Sequence, residues 1–264
     1  MTILDTSTEF DGQVALVTGG GSGIGRAIAV RWAAAGGTVA VMGRRSEPLQ
    51  ETVRLAEEVG GAAEAIQCDV RDADAVDAAI DGLAERHGRL DALVNNAAGN
   101  FVTPSENLSP NGWKAVVDIV LNGSFYCTRA ASRHMLPAGR GSVLNVIATY
   151  AWHGHPGTVH SAAAKGGVVA MARTLASEWG ARGVRVNCIA PGPTETEGAG
   201  QALWPNDEAR ARVLSSVPAD RFTTPDEVAE SAAFLLGDRA AYITGEVLVA
   251  DGGQWLGKAV YTNP

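Results

Sequence analysis

Thr18-Gly19-Gly20-Gly21-Ser22-Gly23-Ile24-Gly25 lies between the apolar run Val14–Val17 and the apolar-periodic stretch Ile24–Ala35. The first reads as a buried strand. The second reads as a helix closed by Gly36-Gly37. Glycines at a strand-to-helix junction permit a tight turn and let backbone N–H groups approach a phosphate. The helix N-terminus adds partial positive charge at the same place. A glycine-rich stretch alone is a weak signal, and its strand-before, helix-after context makes it strong. The spacing is TGxxxGxG and not the strict GxGxxG. A dinucleotide pyrophosphate is the ligand this loop predicts, through Gly19, Gly20, Gly21, Ser22, Gly23 and Ile24.

The alternation continues outward. Strands are expected at Thr38–Met42, Ala65–Cys68, Leu90–Val94, Ser142–Ile147, Val184–Ile189 and Glu246–Val249. Helices are expected at Glu47–Val59, Ala73–His87, Asn111–Met135, Val159–Trp179 and Pro225–Leu236. Strands alternating with helices predict a parallel sheet covered on both faces, and near-continuous apolar strands suit such burial. No linker, low-complexity stretch or repeat divides the chain, so one domain is expected over residues 13–264. Residues 1–12 are expected to be a loosely ordered lead. Residues 193–216 are the longest poorly periodic stretch, and a loop of that length in a compact domain reads as a lid.

The bulk composition narrows the function. Of 264 residues, 46% are hydrophobic and 19% charged, which suits a globular enzyme. The net charge of −8 carries no basic excess for nucleic acid. The three cysteines are scattered, with no CxxC, so neither a disulfide framework nor a metal site is expected. Residues 1–12 lack the basic start and apolar core of a signal peptide, no apolar run reaches membrane-spanning length, and Thr262-Asn263-Pro264 is no peroxisomal signal. The expectation is a cytoplasmic protein with no membrane or nucleic-acid partner.

The form of the dinucleotide is read further along. NAD binders carry an acidic residue about 20 residues after the loop, for the ribose hydroxyls. Here the second strand ends in Met42-Gly43-Arg44-Arg45, with no carboxylate before Glu47. Two guanidiniums match a 2′-phosphate by charge and bidentate hydrogen bonds, so NADP(H) is expected. Asp69 ends the third strand, where a carboxylate can accept from an adenine amino group or cap the next helix.

Taken together, the motifs resemble the short-chain dehydrogenase/reductase family. They are TGGGSGIG at 18–25, Asp69-Val70, Asn95-Asn96-Ala97-Ala98-Gly99, Lys165 and Pro191-Gly192-Pro193. The resemblance implies a Rossmann-type doubly wound parallel seven-stranded α/β sheet in a single domain, and a homotetramer. It also implies that Asn96, Ala97, Lys165, Pro191, Gly192, Pro193 and Thr194 join Asp69 and Val70 around the cofactor.

The catalytic set departs from the family pattern of Asn, Ser, Tyr and Lys. Lys165 is present, but Ser161 stands at the tyrosine position, Ala148 at the serine position and Val120 at the asparagine position. A serine hydroxyl is a far weaker acid than a phenol, so carbonyl reduction is disfavoured. Asn95–Phe101, Leu108-Ser109-Pro110-Asn111 and Asp118–Gly123 resemble the 2,4-dienoyl-CoA reductases within that family. Val159-His160 and Val247–Gly253 are similar to the peroxisomal type. The resemblance implies that Tyr150 and Asn100 donate to a thioester oxygen, that Lys165 binds the nicotinamide ribose, and that Ser161 orients the site. It also implies Arg71, Phe101 and Ser109 as contacts of an acyl-CoA.

The implied reaction is NADPH-dependent reduction of a 2,4-dienoyl-CoA to a 3-enoyl-CoA, an auxiliary step of fatty acid metabolism. Glu195, Glu197 and Ala202 stand where basic lid residues are implied, which is unfavourable for coenzyme A. A trans-2-enoyl-CoA reductase, a 3-oxoacyl reductase and a non-catalytic NADP(H) sensor or scaffold remain the alternatives.

Overall fold

The computed structural model describes residues 8–196 and 206–257. Seven strands are described: β1 Val14–Thr18, β2 Thr38–Gly43, β3 Ala62–Gln67, β4 Ala92–Asn95, β5 Gly141–Val146, β6 Val184–Pro191 and β7 Val247–Ala250. They form one sheet in the order β3-β2-β1-β4-β5-β6-β7, and every neighbouring pair is parallel. The chain winds outward from β1 to β3, then returns to lay β4 against the other side of β1. Strand order reverses at that point, and the C-terminal ends of β1 and β4 diverge there into a crevice.

Successive side chains of a strand face opposite sides of a sheet. Val14 and Leu16 therefore join one core cluster, and Ala15 and Val17 the other. The first cluster holds residues of α3 (Ala73–His87), α5 (Gly123–Ala138) and α7 (Val159–Trp179). The second holds residues of α1 (Gly23–Ala34), α2 (Ser46–Glu58) and the C-terminal helix Pro225–Leu236. All five residues of β1 are buried, because helices cover both faces. This is the doubly wound sheet that the alternation predicts.

Some boundaries differ from the sequence reading. β3 begins at Ala62 and ends before Cys68. β4 begins at Ala92, although Leu90 is also buried. The single helix expected over Asn111–Met135 is two. α4 (Pro110–Val117) passes into one π-helical turn, Asp118–Asn122, before α5. Local side-chain bonds accommodate the extra residue: Asn122 Nδ2 donates to Asp118 Oδ1 at 2.9 Å, and Ser124 Oγ donates to the Val120 carbonyl at 2.7 Å. Gly123 follows directly, where a Cβ would stand 2.8 Å from Val70 Cγ2. Apolar periodicity cannot register a one-residue bulge of this kind.

Residues 206–216 of the expected lid are not irregular. Asn206 accepts from Ala209 N at 2.8 Å and caps α8 (Asp207–Ser215). No residue of α8 is buried, so it shows no apolar stripe to read. The Glu197 and Ala202 readings lie outside the described residues. Of the N-terminal lead, residues 8–12 are described. Phe10 is fully buried and stacks on Trp32 with centroids 3.8 Å apart, and Glu9 pairs with Arg239. The helix α9 (Pro225–Leu236) opens with a capping box, in which Thr224 Oγ1 accepts from Glu227 N and the Glu227 carboxylate accepts from Thr224 N.

Candidate active site

The crevice beside β1 and β4 holds a cleft of about 490 Å³. Thr18 ends β1 and ties its two walls together. Its Oγ1 donates to the Val94 carbonyl and accepts from the N–H groups of Asn96 and Ala97, both at 3.0 Å. Asn96 Nδ2 returns to the carbonyls of Thr18 and Gly19. Thr52 Oγ1 donates to the Gly20 carbonyl, and Arg26 donates to that of Gly21. The loop carbonyls are thus all turned to protein donors. Among the described residues, the Gly21 and Ser22 N–H groups have no acceptor, and they sit at the N-terminus of α1. That is a donor set for an anion.

Two glycines are required sterically. Gly19 has φ +63°, and a Cβ there would lie 2.9 Å from Ala97 Cα. Gly23 has φ +52°, and a Cβ there would press on Thr196. A dinucleotide fits this cradle, since only bare backbone can approach a pyrophosphate so closely.

Arg44 and Arg45 line the cleft beyond β2 and are exposed. Neither makes a side-chain hydrogen bond or ion pair among the described residues, and the Arg44 charge reaches Asp69. Asp69 lines the cleft too, but its carboxylate takes two hydrogen bonds from Arg71 Nε at 3.0 Å and one from Arg71 N. That guanidinium holds Asp69 below the usual carboxylate range. Asp72, and not Asp69, caps α3, accepting from Ala75 N.

The reacting end is built from two short-range elements. The helix α6 (Tyr150–His153) carries Tyr150, and the first turn of α7 carries Ser161. Tyr150 Oη and Ser161 Oγ lie 3.1 Å apart. Burial pushes the phenol pKa up, against the Ser161 hydrogen bond that lowers it. Tyr150 is therefore a protonated donor at neutral pH. One turn further along α7, Lys165 is buried and donates to the Val146 carbonyl at the end of β5. Burial lowers its pKa to about 8. Asn100 lines the same cleft, its Oδ1 accepting from Phe101 N at 2.9 Å. Val120 at the family's asparagine position is 1% exposed and belongs to the core.

The cleft gathers Gly19, Gly21, Ser22, Gly23, Ile24, Arg44, Arg45, Asp69, Val70, Asn96, Ala97, Asn100, Tyr150, Ser161 and Lys165. Other expected residues do not line it. Gly20 lies behind the loop, where a Cβ would meet Val41 at 2.7 Å. Pro191 ends β6, and Gly192, Pro193 and Thr194 follow it, where Thr194 Oγ1 bonds back to the Gly192 carbonyl. Arg71 is spent on Asp69. Ser109 Oγ caps α4, accepting from Gly112 N at 3.0 Å. Phe101 packs on His160. Sequence reasoning missed Ile119 and Thr196, which line the cleft. It also missed Arg210 of α8, which pairs with Glu195 and stacks on Phe222 at 4.4 Å. The Asn206-Asp207-Glu208 start was the available signal for that helix. Arg210 offsets the Glu195 charge that weighed against a phosphorylated carrier.

Parallel strands, a switch-point crevice and a glycine cradle define a dinucleotide-binding oxidoreductase scaffold. The chain belongs to the short-chain dehydrogenase/reductase family. A family model described as Enoyl-(Acyl carrier protein) reductase matches residues 19–254. A probable 2,4-dienoyl-CoA reductase, (2E)-enoyl-CoA-producing, of Bacillus subtilis is 50% identical over 246 residues, covering 92% of this chain and 97% of that one. A probable (3E)-enoyl-CoA-producing 2,4-dienoyl-CoA reductase of Caenorhabditis elegans is 39% identical over 248 residues, covering 92% and 80%. The D-threitol dehydrogenase of Mycolicibacterium smegmatis is 41% identical over 254 residues, covering 95% of each. Among solved structures, a short chain dehydrogenase from Bacillus anthracis superposes with a TM-score of 0.85 at 44% identity, covering 95% of this chain and 99% of that one. One from Beutenbergia cavernae, described as a putative NAD(P)-dependent gluconate 5-dehydrogenase with bound NADP, gives 0.90 at 36% identity, covering 95% and 99%.

Proposed function

We propose that this protein is an NADPH-dependent reductase of 2,4-dienoyl thioesters carried on coenzyme A. The observation that carries the reading is the 3.1 Å contact of Tyr150 Oη with Ser161 Oγ. The family position for the acid is 161, where this chain has a hydroxyl too weak to serve. A phenol is delivered to that same point from α6. The site keeps a strong donor but approaches it from another element, which suits an acceptor oxygen at the end of a conjugated system.

When bound in the cleft, NADPH would supply the hydride for the δ-carbon of the diene. The glycine loop would hold its pyrophosphate, Arg44 and Arg45 its 2′-phosphate, and Lys165 its nicotinamide ribose. Hydride addition sends negative charge through the diene to the thioester oxygen. Tyr150 Oη donates to that oxygen, with Asn100 Nδ2 as the second donor. Preorganised donors of this kind act where charge develops. With that O–H given to the substrate, Ser161 donates to Tyr150 Oη and fixes the phenol. Protonation of the resulting dienolate at the α-carbon, by water, gives a 3-enoyl product. Protonation at the γ-carbon would give the 2-enoyl product named for the Bacillus subtilis relative.

NADPH oxidation with a 2,4-dienoyl-CoA tests the reading, and locating the double bond in the product by NMR fixes the protonation site. No turnover with a dienoyl thioester, beside turnover of a trans-2-enoyl-CoA, would transfer the assignment to enoyl reduction. That alternative is favoured by the matching family description. Polyol oxidation, as named for the Mycolicibacterium smegmatis relative, is disfavoured by Ser161 at the acid position. Trp113 on α4 and Phe125 on α5 are exposed, which supports the homo-oligomer that the resemblance implies.

A further inference from the structure

His160 is fully buried, and neither Nδ1 nor Nε2 has a hydrogen-bond partner. A buried polar group in that condition costs stability, and an apolar residue of similar size would not. The ring is the second residue of α7 and directly precedes Ser161. Adjacent helical positions point about 100° apart. Ser161 meets Tyr150, and His160 turns to the neighbouring side, where Phe101 lies on it with centroids 4.4 Å apart and planes tilted by 47°.

Phe101 is partly exposed, at 38%, and sits in a segment without regular structure. That segment is pinned on both sides of the ring. Asn100 Oδ1 holds Phe101 N, and Thr103 N donates to the Gly157 carbonyl at 3.0 Å. The far edge of the ring passes close to Gly112, where a Cβ would lie 3.1 Å from Phe101 Cζ. Both rings adjoin residues that line the cleft: Phe101 follows Asn100, and His160 precedes Ser161.

We infer that Phe101 is a gate over His160, and that the uncovered imidazole N–H donates a hydrogen bond to a carbonyl oxygen of the acyl-CoA. The inference rests on the acyl-thioester reading of the site. Burial lowers the His160 pKa, so the ring is neutral, with one donor and one acceptor nitrogen. A neutral N–H selects a carbonyl over a cation. Two carbonyls of a coenzyme A substrate qualify, the thioester itself and an amide of the carrier arm. His160 is thus a substrate-binding residue, and Phe101 sets when it is available.

The experiment compares wild type, His160→Leu and His160→Gln with a 2,4-dienoyl-CoA and with the matching dienoyl ethyl thioester, which has no carrier amide. Leucine keeps the packing against Phe101 and removes the donor, while glutamine restores an N–H. The expected result is a fall of about tenfold in kcat/KM for His160→Leu, largely recovered by His160→Gln, with NADPH affinity unchanged in both. A loss on both substrates assigns the thioester carbonyl, and a loss on the coenzyme A substrate alone assigns the amide. Wild-type kcat/KM in His160→Leu overturns the inference, as does a His160→Gln no better than His160→Leu. If wild type oxidises no NADPH with either dienoyl substrate, the functional reading fails instead. The inference is then decided by ¹⁵N NMR of the His160 ring in the NADPH complex. A nitrogen shift on adding a saturated acyl-CoA supports it, and an unmoved signal overturns it.

Discussion

At the scale of single residues, the site turns on how burial sets protonation. Tyr150 is kept as a phenol, so its value is as a donor and not as a base. Tyr150→Phe keeps the ring and removes that donor. The expected outcome is a loss on the order of 10²–10³ in kcat with a dienoyl-CoA, measured at saturating NADPH. Lys165 behaves in the opposite sense. Its pKa is lowered to about 8 by burial, so it is charged below that pH and neutral above it. The charged form favours an anionic dinucleotide. kcat/KM for NADPH should therefore fall as pH rises through about 8, and Lys165→Met should lack that step. In the proposed function, the arginines beyond β2 set the form of the cofactor. Replacing Arg44 and Arg45 by alanine should weaken NADPH binding roughly 10- to 100-fold and leave NADH binding nearly unchanged, measured by titration of cofactor fluorescence. The family resemblance pointed to Tyr150, but its contact with Ser161 spans 11 positions and closes only because the chain doubles back between α6 and α7.

At the scale of elements, caps and bulges decide what periodicity leaves open. The expected helix over Asn111–Met135 has the right face throughout, yet a π turn breaks it, since a single extra residue is taken up by Asn122 and Ser124 without disturbing the apolar count. α8 went unread for the converse reason: it buries nothing, and its evidence is a cap and acidic first turn. The capping box at α9 is separate from the cleft, so it offers a control. Thr224→Ala should lower stability by about 1 kcal/mol, seen as a reduced urea midpoint, with kcat/KM unchanged. A change in kcat/KM instead would mean that α9 positions the cleft.

At the scale of the molecule, charge pairs join the layer of helices that the sheet alone does not. Arg133 and Arg129 of α5 reach Asp77 of α3, and the Arg133 guanidinium holds Asp77 below the usual carboxylate range, with Arg129 adding to it. A carboxyl with a lowered folded pKa stabilises the fold above its unfolded pKa. That contribution is lost as pH falls through the folded value. Acid unfolding should accordingly set in below about pH 4, and Arg133→Ala should move the midpoint upward, followed by circular dichroism. The pairs are half exposed, so the shift should shrink at high salt.

The sequence by itself determined the doubly wound sheet, the glycine cradle, the arginines beyond β2 and the absence of a family-type acid at Ser161. Each of these is local. A strand, a turn or a charge at a strand end is written in adjacent residues. Only the tertiary structure decided that Tyr150 meets Ser161, that Arg210 answers Glu195, and that His160 lies unpartnered beneath Phe101. These pairings depend on where separate elements come to rest. That is fixed by packing against both faces of the sheet, not by any spacing along the chain.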